Sequence, residues 1–405
     1  MVQIPHIKTK MTLPESQRAG LYIHIPFCVK KCPYCDFYSE TDLSLKPRLL
    51  KALMAEMEMV SAKGLSFDTL YIGGGTPSVY DYHDIDQIVA AALQNFDLQP
   101  DSEITIEVNP GTTSIEQLKG YRKAGINRIN IGVQSFNQRH LDFLGRIHTA
   151  AESHKAITDA DQAVFKNIGL DLIYGLPEQS RGDWLADLKQ AVAYVPTHLS
   201  CYMLTYEKGT PLHSHLENGR IQALSDDYVR ELFEATIEFL EDNGYFQYEI
   251  SNFAWIGKDG KPRISRHNLK YWTLAPYIGL GPSAHSFIKS QRYWNHSRVD
   301  RYLAAIESGQ TPIADREVLT REQELIEAIY LGLRMTQGID LVGFRKKFEI
   351  DFSRSFKDAI ADLENKNYLK VGTTHAALTQ QGRAFLDSIA AMFVTRDYFD
   401  AKAAD

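Results

Sequence analysis

Cysteine is scarce: the 405 residues hold only four, Cys28, Cys32, Cys35 and Cys201. Three fall within eight residues and the fourth lies far away. That pattern excludes a framework of paired disulfides and points to a thiolate site in a reducing compartment. Long apolar runs are missing too. No stretch approaches the ~18 residues a membrane helix needs. The opening MVQIPHIKTKMTLPESQRAG has no continuous apolar segment of about 7–15 residues, so no secretory signal is expected there. A cytoplasmic protein is the expectation. Positive charge is in deficit, with 44 Lys and Arg against 51 Asp and Glu and a net charge of −7. This argues against coating nucleic acid. Internal repeats and low-complexity tracts are absent. What remains is ordinary globular composition, 44% hydrophobic with 19 Phe and 21 Tyr. A core of that size needs no disulfides. The length suggests two to three domains, or one large barrel with an appendage.

The chain opens with a polar arm over residues 1–19 and then falls into a rhythm. Strands are predicted at Gly20–Phe27, Thr69–Gly74, Glu103–Asn109, Arg128–Ser135, Ile168–Tyr174 and His198–Tyr206. Helical periodicity fills the gaps at Leu45–Lys63, Asp84–Phe96, Ser114–Ala124, Gln138–Leu144, Glu152–Ala163 and Arg181–Tyr194. Six consecutive β-α units predict an α/β fold with a parallel sheet, either doubly wound or a barrel. Six are too few for a complete eight-fold barrel. The strands end in polar residues, where both architectures place ligands. After residue 207 the rhythm fades. Asp226–Asn243 reads as a strong helix, and residues 245–296 as irregular, aromatic and rich in Gly and Asn. From 297 onward three helices and a short two-stranded segment predict a mainly helical, winged-helix-like domain over 297–405.

Cys28-Val-Lys-Lys-Cys32-Pro-Tyr-Cys35 follows directly on the first strand. Three thiolates on a tight loop can each hold one corner of a [4Fe–4S] cube, leaving one iron open to another ligand. A structural zinc site is the alternative, but it wants a fourth protein ligand and no second Cys pair exists. Cys201 lies mid-strand in an apolar run and reads as a buried small hydrophobe.

With YIHIPFCVKKCPYCDF the chain resembles the radical S-adenosylmethionine (SAM) superfamily. Within it, the chain resembles the branch of anaerobic coproporphyrinogen III dehydrogenases and their heme-chaperone relatives. The resemblance runs over residues 20–390. It implies a partial (β/α)6 barrel with the cluster at its open top, which with its C-terminal extension takes up 20–296, and a C-terminal domain of the type found in those dehydrogenases. It implies SAM on the fourth iron through its amino and carboxylate groups, and reductive cleavage to a 5′-deoxyadenosyl radical. The cofactor carries that chemistry and the protein supplies position.

Individual residues then acquire implied roles. The run Gly73-Gly74-Gly75-Thr76-Pro77 is either a tight strand-to-helix turn or a backbone cradle for a ligand. The resemblance sets Gly74, Gly75 and Thr76 against SAM's amino group. Glu107 stands in an otherwise apolar strand, where a buried acid needs a partner. An ion pair inside the barrel would explain it; the resemblance assigns it to the SAM ribose. Tyr22, Phe37, Gln134, Arg146 and Asp171 match further SAM-contacting positions, with Arg146 suited to a charge-assisted bond to SAM's carboxylate.

Two features separate the branches. Phe37 stands where the dehydrogenases carry a fourth cysteine, and only about 19 residues precede the first strand, fewer than in those enzymes. Arg266-His267-Asn268-Leu269-Lys270-Tyr271-Trp272 resembles the HNxxYW motif of the chaperone branch. That makes His267 a candidate heme ligand, with Tyr271 and Trp272 as flat apolar surface. A packed, hydrogen-bonded histidine is the plainer reading. His285 is a second candidate.

The implied function is binding and transfer of heme to an acceptor protein, with an electron donor for the cluster. Radical decarboxylation of coproporphyrinogen III to protoporphyrinogen IX is the alternative, and radical chemistry on an unrelated substrate a third. Peripheral membrane contact and a monomeric or dimeric state stay open. Winged helices often bind DNA, but residues 316–405 are near neutral and Arg345-Lys346-Lys347 reads as a solvated helix face. No nucleic-acid partner is expected; a lid over the barrel mouth is.

Overall fold

The computed structural model describes residues 18–60, 62 and 64–394. All but the end of the 1–19 arm lies outside the described residues. The six predicted strands form as β1 (Ala19–Ile25), β2 (Ser66–Gly74), β3 (Asp97–Val108), β4 (Arg128–Gln134), β5 (Asn167–Tyr174) and β6 (His198–Met203). They lie side by side in chain order and all run parallel. Their crossovers carry α1 (Lys46–Met59), α2 (Tyr82–Asn95), α3 (Ile115–Lys123), the short α4 (Gln138–Phe143) with α5 (Ala150–Gln162), and α6 (Arg181–Ala193). This is the partial (β/α)6 barrel that the resemblance implies.

The local reasons are legible. Strands such as RINIGVQ of β4 are buried at nearly every position, as a covered parallel sheet requires. The helices begin at side chains that accept their orphan amides. Asp81 caps α2 and Ser114 caps α3, while Thr149 with Glu152 and Ser180 with Asp183 form capping boxes for α5 and α6.

Beyond the barrel come α7 (Pro211–Glu217) and α8 (Asp226–Asp242). Residues 245–296 depart from the expected irregularity. They form β7 (Tyr245–Glu249), β8 (Asn252–Trp255), α9 (Arg266–Trp272), β9 (Tyr277–Leu280), β10 (His285–Ile288) and β11 (Gln291–Asn295). These strands span only four or five residues, too few for periodicity to register. Next, α10 (Val299–Glu307) packs on α1, and β12 (Ile313–Val318) pairs with β11. One twelve-stranded sheet results, ordered β12-β11-β10-β9-β1-β2-β3-β4-β5-β6-β8-β7. In it β9 adds a seventh parallel strand beside β1.

The last part has its own core, from Leu325 to Phe393. It is mainly helical: α11 (Arg321–Arg334), then a two-residue β13 (Ile339–Asp340), α12 (Leu341–Phe348), α13 (Phe352–Ser355) and α14 (Lys357–Asn365). The hairpin β14 (Leu369–Val371) and β15 (His375–Leu378), with α15 (Gln380–Arg383) and α16 (Leu386–Ala391), completes it. The expected two-stranded wing gains a third strand, because β13 pairs with β15. Among the described residues no helix is long and apolar enough to cross a membrane.

Candidate functional site

The C-terminal ends of β1 to β6 open into a cavity of about 1270 Å³. Cys28, Cys32 and Cys35 line it from the loop after β1. The base of that loop is fixed. The Cys28 N–H donates to Glu40 O at 2.9 Å and the Glu40 N–H to Pro26 O at 2.8 Å. The loop turns tightly where the Cys35 N–H reaches Cys32 O at 3.2 Å. From the far side the Leu212 N–H of α7 donates to Pro33 O at 3.0 Å.

The thiols are free and partly exposed. Burial pushes the Cys28 and Cys35 thiols up, the neighbouring cysteines add to the rise, and hydrogen bonds from Thr76 to Cys28 and from the Phe37 backbone to Cys35 oppose it. Thr76 Oγ1 donates to Cys28 Sγ at 3.5 Å, and Arg146 Nη1 to Cys32 Sγ at 3.6 Å. Arg146 Nη2 also donates to Asn109 Oδ1 at 2.6 Å and to Gly132 O at 3.1 Å. Asn109 Nδ2 then donates to Thr76 Oγ1 at 2.9 Å. A polar strut therefore runs Cys32–Arg146–Asn109–Thr76–Cys28. Asn109 was not singled out from the sequence, although its place as the polar end of the predicted third strand was the available signal.

The glycine run is a close approach of backbone to backbone. Gly74 has φ +116°, and a Cβ there would lie 2.7 Å from the His24 ring. A Cβ on Gly75 would lie 2.8 Å from Phe27 O. The end of β2 can press against the end of β1 because neither residue has a side chain. The Gly74 N–H donates to Glu107 Oε2 at 3.0 Å, and the Tyr71 hydroxyl donates to Glu107 Oε1 at 2.6 Å. Burial, opposed by the Tyr71 bond and reinforced by repulsion from Asp171, raises the Glu107 pKa to about 7. Asp171 Oδ2 accepts from Asn130 Nδ2 at 2.6 Å, while its Oδ1 is buried without a partner. Gln134 sits at φ +65° where the β4–β5 register breaks. Phe37, Gly74, Gly75, Thr76, Glu107, Gln134, Arg146 and Asp171 all line the same cavity as the three cysteines.

Tyr22 does not. It lies inside the barrel, its hydroxyl 2.9 Å from His24 Nδ1 and its ring 6.2 Å from that of Tyr71. His267 lies deeper still, towards the opposite ends of the strands, and is 1% exposed. Its Nδ1 is 2.8 Å from Thr69 Oγ1 and its Nε2 is 3.0 Å from the Tyr271 hydroxyl. Its ring stacks on Tyr71 at 5.0 Å, and the His267 backbone N–H donates to Glu103 Oε1 at 3.0 Å. Burial depresses its pKa to about 3. Both ring nitrogens are engaged, so the RHNLKYW segment forms the barrel floor. His285 is exposed and stacks on Trp294 at 5.6 Å, beside a separate cavity of about 380 Å³. Cys201 is 3% exposed within the sheet core.

The C-terminal part supplies the far wall of the large cavity through Tyr330, Arg334, Arg383 and Phe385. It docks on the β7–β8 hairpin. Arg334 Nε pairs with Glu249 Oε2 at 2.8 Å, and its guanidinium lies 4.3 Å from the Trp272 ring centre. Thr336 Oγ1 donates to Gln247 O at 2.8 Å.

These residues suit a cluster and a polar cofactor. Three thiols share one wall with donors aimed at their sulfurs, and an unpaired carboxylate oxygen lies among the other cavity-lining groups. Among the described residues no three His, Cys, Asp or Glu side chains converge tightly enough for a single metal ion. Sulfurs that hold different corners of a cube need not converge.

The fold and the cysteine-lined mouth define a class. The Radical SAM superfamily matches residues 22–191 and the HemN C-terminal domain matches residues 319–385. Heme chaperone HemW of Haemophilus influenzae is 33% identical over 410 aligned positions, covering 95% of this chain and all of that protein. Heme chaperone HemW of Bacillus subtilis is 32% identical, covering 92% of this chain and 98% of that protein. The chain belongs to the heme chaperone HemW family of radical SAM proteins. In fold it is similar to coproporphyrinogen III oxidase (HemN) from Escherichia coli. The TM-score is 0.80 with 23% identity, over 94% of this chain and 90% of that one.

Proposed function

We propose that this chain is a heme chaperone of the cytoplasm. It would hold a [4Fe–4S] cluster through Cys28, Cys32 and Cys35, bind SAM beside it, take up heme and pass it to an acceptor protein. The observation that carries this reading is the single cavity shared by the three thiols and the polar groups from Thr76 to Asp171, in a chain related along its length to heme chaperones. When bound, a cluster with SAM supplies one-electron reductive chemistry, which needs an external electron donor.

The chain's own residues prepare the place. Arg146 sets a fixed positive charge beside Cys32 and donates to its sulfur. Asn109 and Thr76 carry that hold across to Cys28. Glu107 and the free Oδ1 of Asp171 offer acceptors to hydroxyl groups of a nucleoside. Gln134, turned by its left-handed backbone, adds an amide at the same wall. Phe37, 70% exposed, presents an apolar face where a fourth thiol would otherwise compete. His267 we assign to the floor of the barrel, because both its nitrogens are occupied.

The test uses anaerobic, cluster-reconstituted protein with SAM and reductant, given heme in one cuvette and coproporphyrinogen III in another. Stoichiometric heme uptake with no protoporphyrinogen formed is the expected result. Conversion to protoporphyrinogen would make the chain a dehydrogenase and overturn the reading.

A further inference from the structure

The cavity is larger than one ligand needs. Small-molecule sites run to roughly 300–1,000 Å³, and this one holds about 1270 Å³. Its two ends differ in chemistry. One end carries the thiols, Arg146 and the acids already described. The other lies between the end of β6, the start of α8 and the C-terminal part. Its wall carries an apolar group, Met203, Val229, Phe233, Phe385 and Leu386, among charged side chains. Met203 is 50% exposed and Phe385 38%, large apolar side chains left facing the opening.

Three arginines stand in this wall, and two are held by carboxylates. Arg334 pairs with the buried Glu249, and Arg230 with Asp227 at 3.3 Å and Glu234 at 3.2 Å. Arg383 differs. Its Nη1 donates to a neutral oxygen, Gln247 Oε1, at 2.5 Å, and its Nε is buried without a hydrogen bond. Burial lowers its pKa although the field of Glu241 acts in the opposite sense. Two acids of the wall are engaged elsewhere, Asp227 with Arg230 and Asp387 with the Tyr330 hydroxyl at 3.0 Å, while Asp226 stands in the first turn of α8 and Glu207 on the loop after β6. A cation only partly compensated, on a flat apolar bed, fits a planar apolar molecule bearing a carboxylate.

We propose that this end of the cavity is the seat of the porphyrin, and that Arg383 binds one of its propionate carboxylates. The inference rests on the heme-chaperone reading and adds the place and the anchoring group. It puts the cargo in the same chamber as the thiol loop, away from the His267 floor. No histidine is among the described residues that line the chamber.

The experiment titrates the reconstituted full chain with iron protoporphyrin IX and with its dimethyl ester, following Soret absorbance. The ester should bind the unmodified protein at least tenfold more weakly, the loss of about one charged hydrogen bond. Arg383→Gln should weaken heme to the level of the ester and leave the ester unchanged. Arg383→Lys should restore most of the difference, and SAM binding should stay as in the unmodified protein. Phe385→Asp provides a second variant, at a partly exposed position just before α16. It should repel heme and spare the ester. If both variants bind heme and ester as the unmodified protein does, the seat is elsewhere and the chaperone reading stands. If the unmodified protein binds neither porphyrin, both readings fall.

Discussion

Arg146 makes four contacts through two nitrogens: Cys32 Sγ, the Tyr34 hydroxyl, Asn109 Oδ1 and Gly132 O. A lysine has one donor head and cannot span them. Arg146→Leu strands the Asn109 and Gly132 oxygens and removes the cation beside the thiols. It should cost about 3 kcal/mol of stability and lower iron and sulfide content after reconstitution. Thermal melts and metal analysis check the two effects separately; full iron loading in the variant would contradict the strut. Alanine at Cys28, Cys32 and Cys35 should abolish visible iron–sulfur absorbance, whereas Cys201→Ala should keep it. At this scale the sequence was informative about the residues that line the mouth. It was uninformative about Asn109, whose role depends on two partners, Thr76 and Arg146, that are distant in the chain. It left two readings open at His267, because a histidine among aromatics looks alike whether its nitrogens face a ligand or, as here, Thr69 and Tyr271.

The turn at the end of β2 shows why elements meet as they do. Gly74 needs both a left-handed backbone and an empty space beside His24. Gly74→Ala should therefore cost about 1–3 kcal/mol and also loosen the Gly74 N–H from Glu107. Chemical denaturation of the variant gives the first effect; a pH profile of SAM binding that shifts relative to the unmodified protein gives the second. The six β-α units were legible because each strand is a buried run followed by a capped amphipathic helix. Strands β7 to β11 were not. At four or five residues, set between aromatic and glycine-rich turns, they owe their conformation to the neighbours that pair with them, β6 on one side and β1 on the other.

Across the molecule, two buried acids make stability depend on pH. Glu56 on α1 accepts from the Gly281 N–H at 2.7 Å, Asn295 Nδ2 at 2.6 Å and the Tyr302 hydroxyl at 2.6 Å. It thereby joins the first helix to β11 and α10. Burial raises its pKa to about 7, as it does for Glu107. Between the ordinary carboxylate range and about 7 the folded chain holds protons that the unfolded chain has released. The stability these two acids contribute should therefore fall as pH rises from about 5 to about 7 and level off above, while buried His24, His148 and His267, depressed to about 4, 4 and 3, contribute in the opposite sense below about 6.5. Urea midpoints measured across that range for the unmodified chain and for Glu56→Gln isolate the Glu56 part: the variant should be less stable, and the difference between the two should shrink as pH rises. An unchanged slope in the variant would remove Glu56 from the account.

The placement of β9 beside β1 carries a kinetic consequence. During synthesis β1 waits for residues 277–280 before its second edge is covered. Until then the growing chain presents an unpaired, almost wholly buried-type strand, AGLYIHI, as a template for other chains. Contacts so distant in sequence also close slowly. A fragment ending at residue 207 should self-associate as it refolds, visible by light scattering, while the full chain should not. Completion of the sheet, rather than of the six repeating units, then sets the moment at which this polypeptide becomes safe from its own copies.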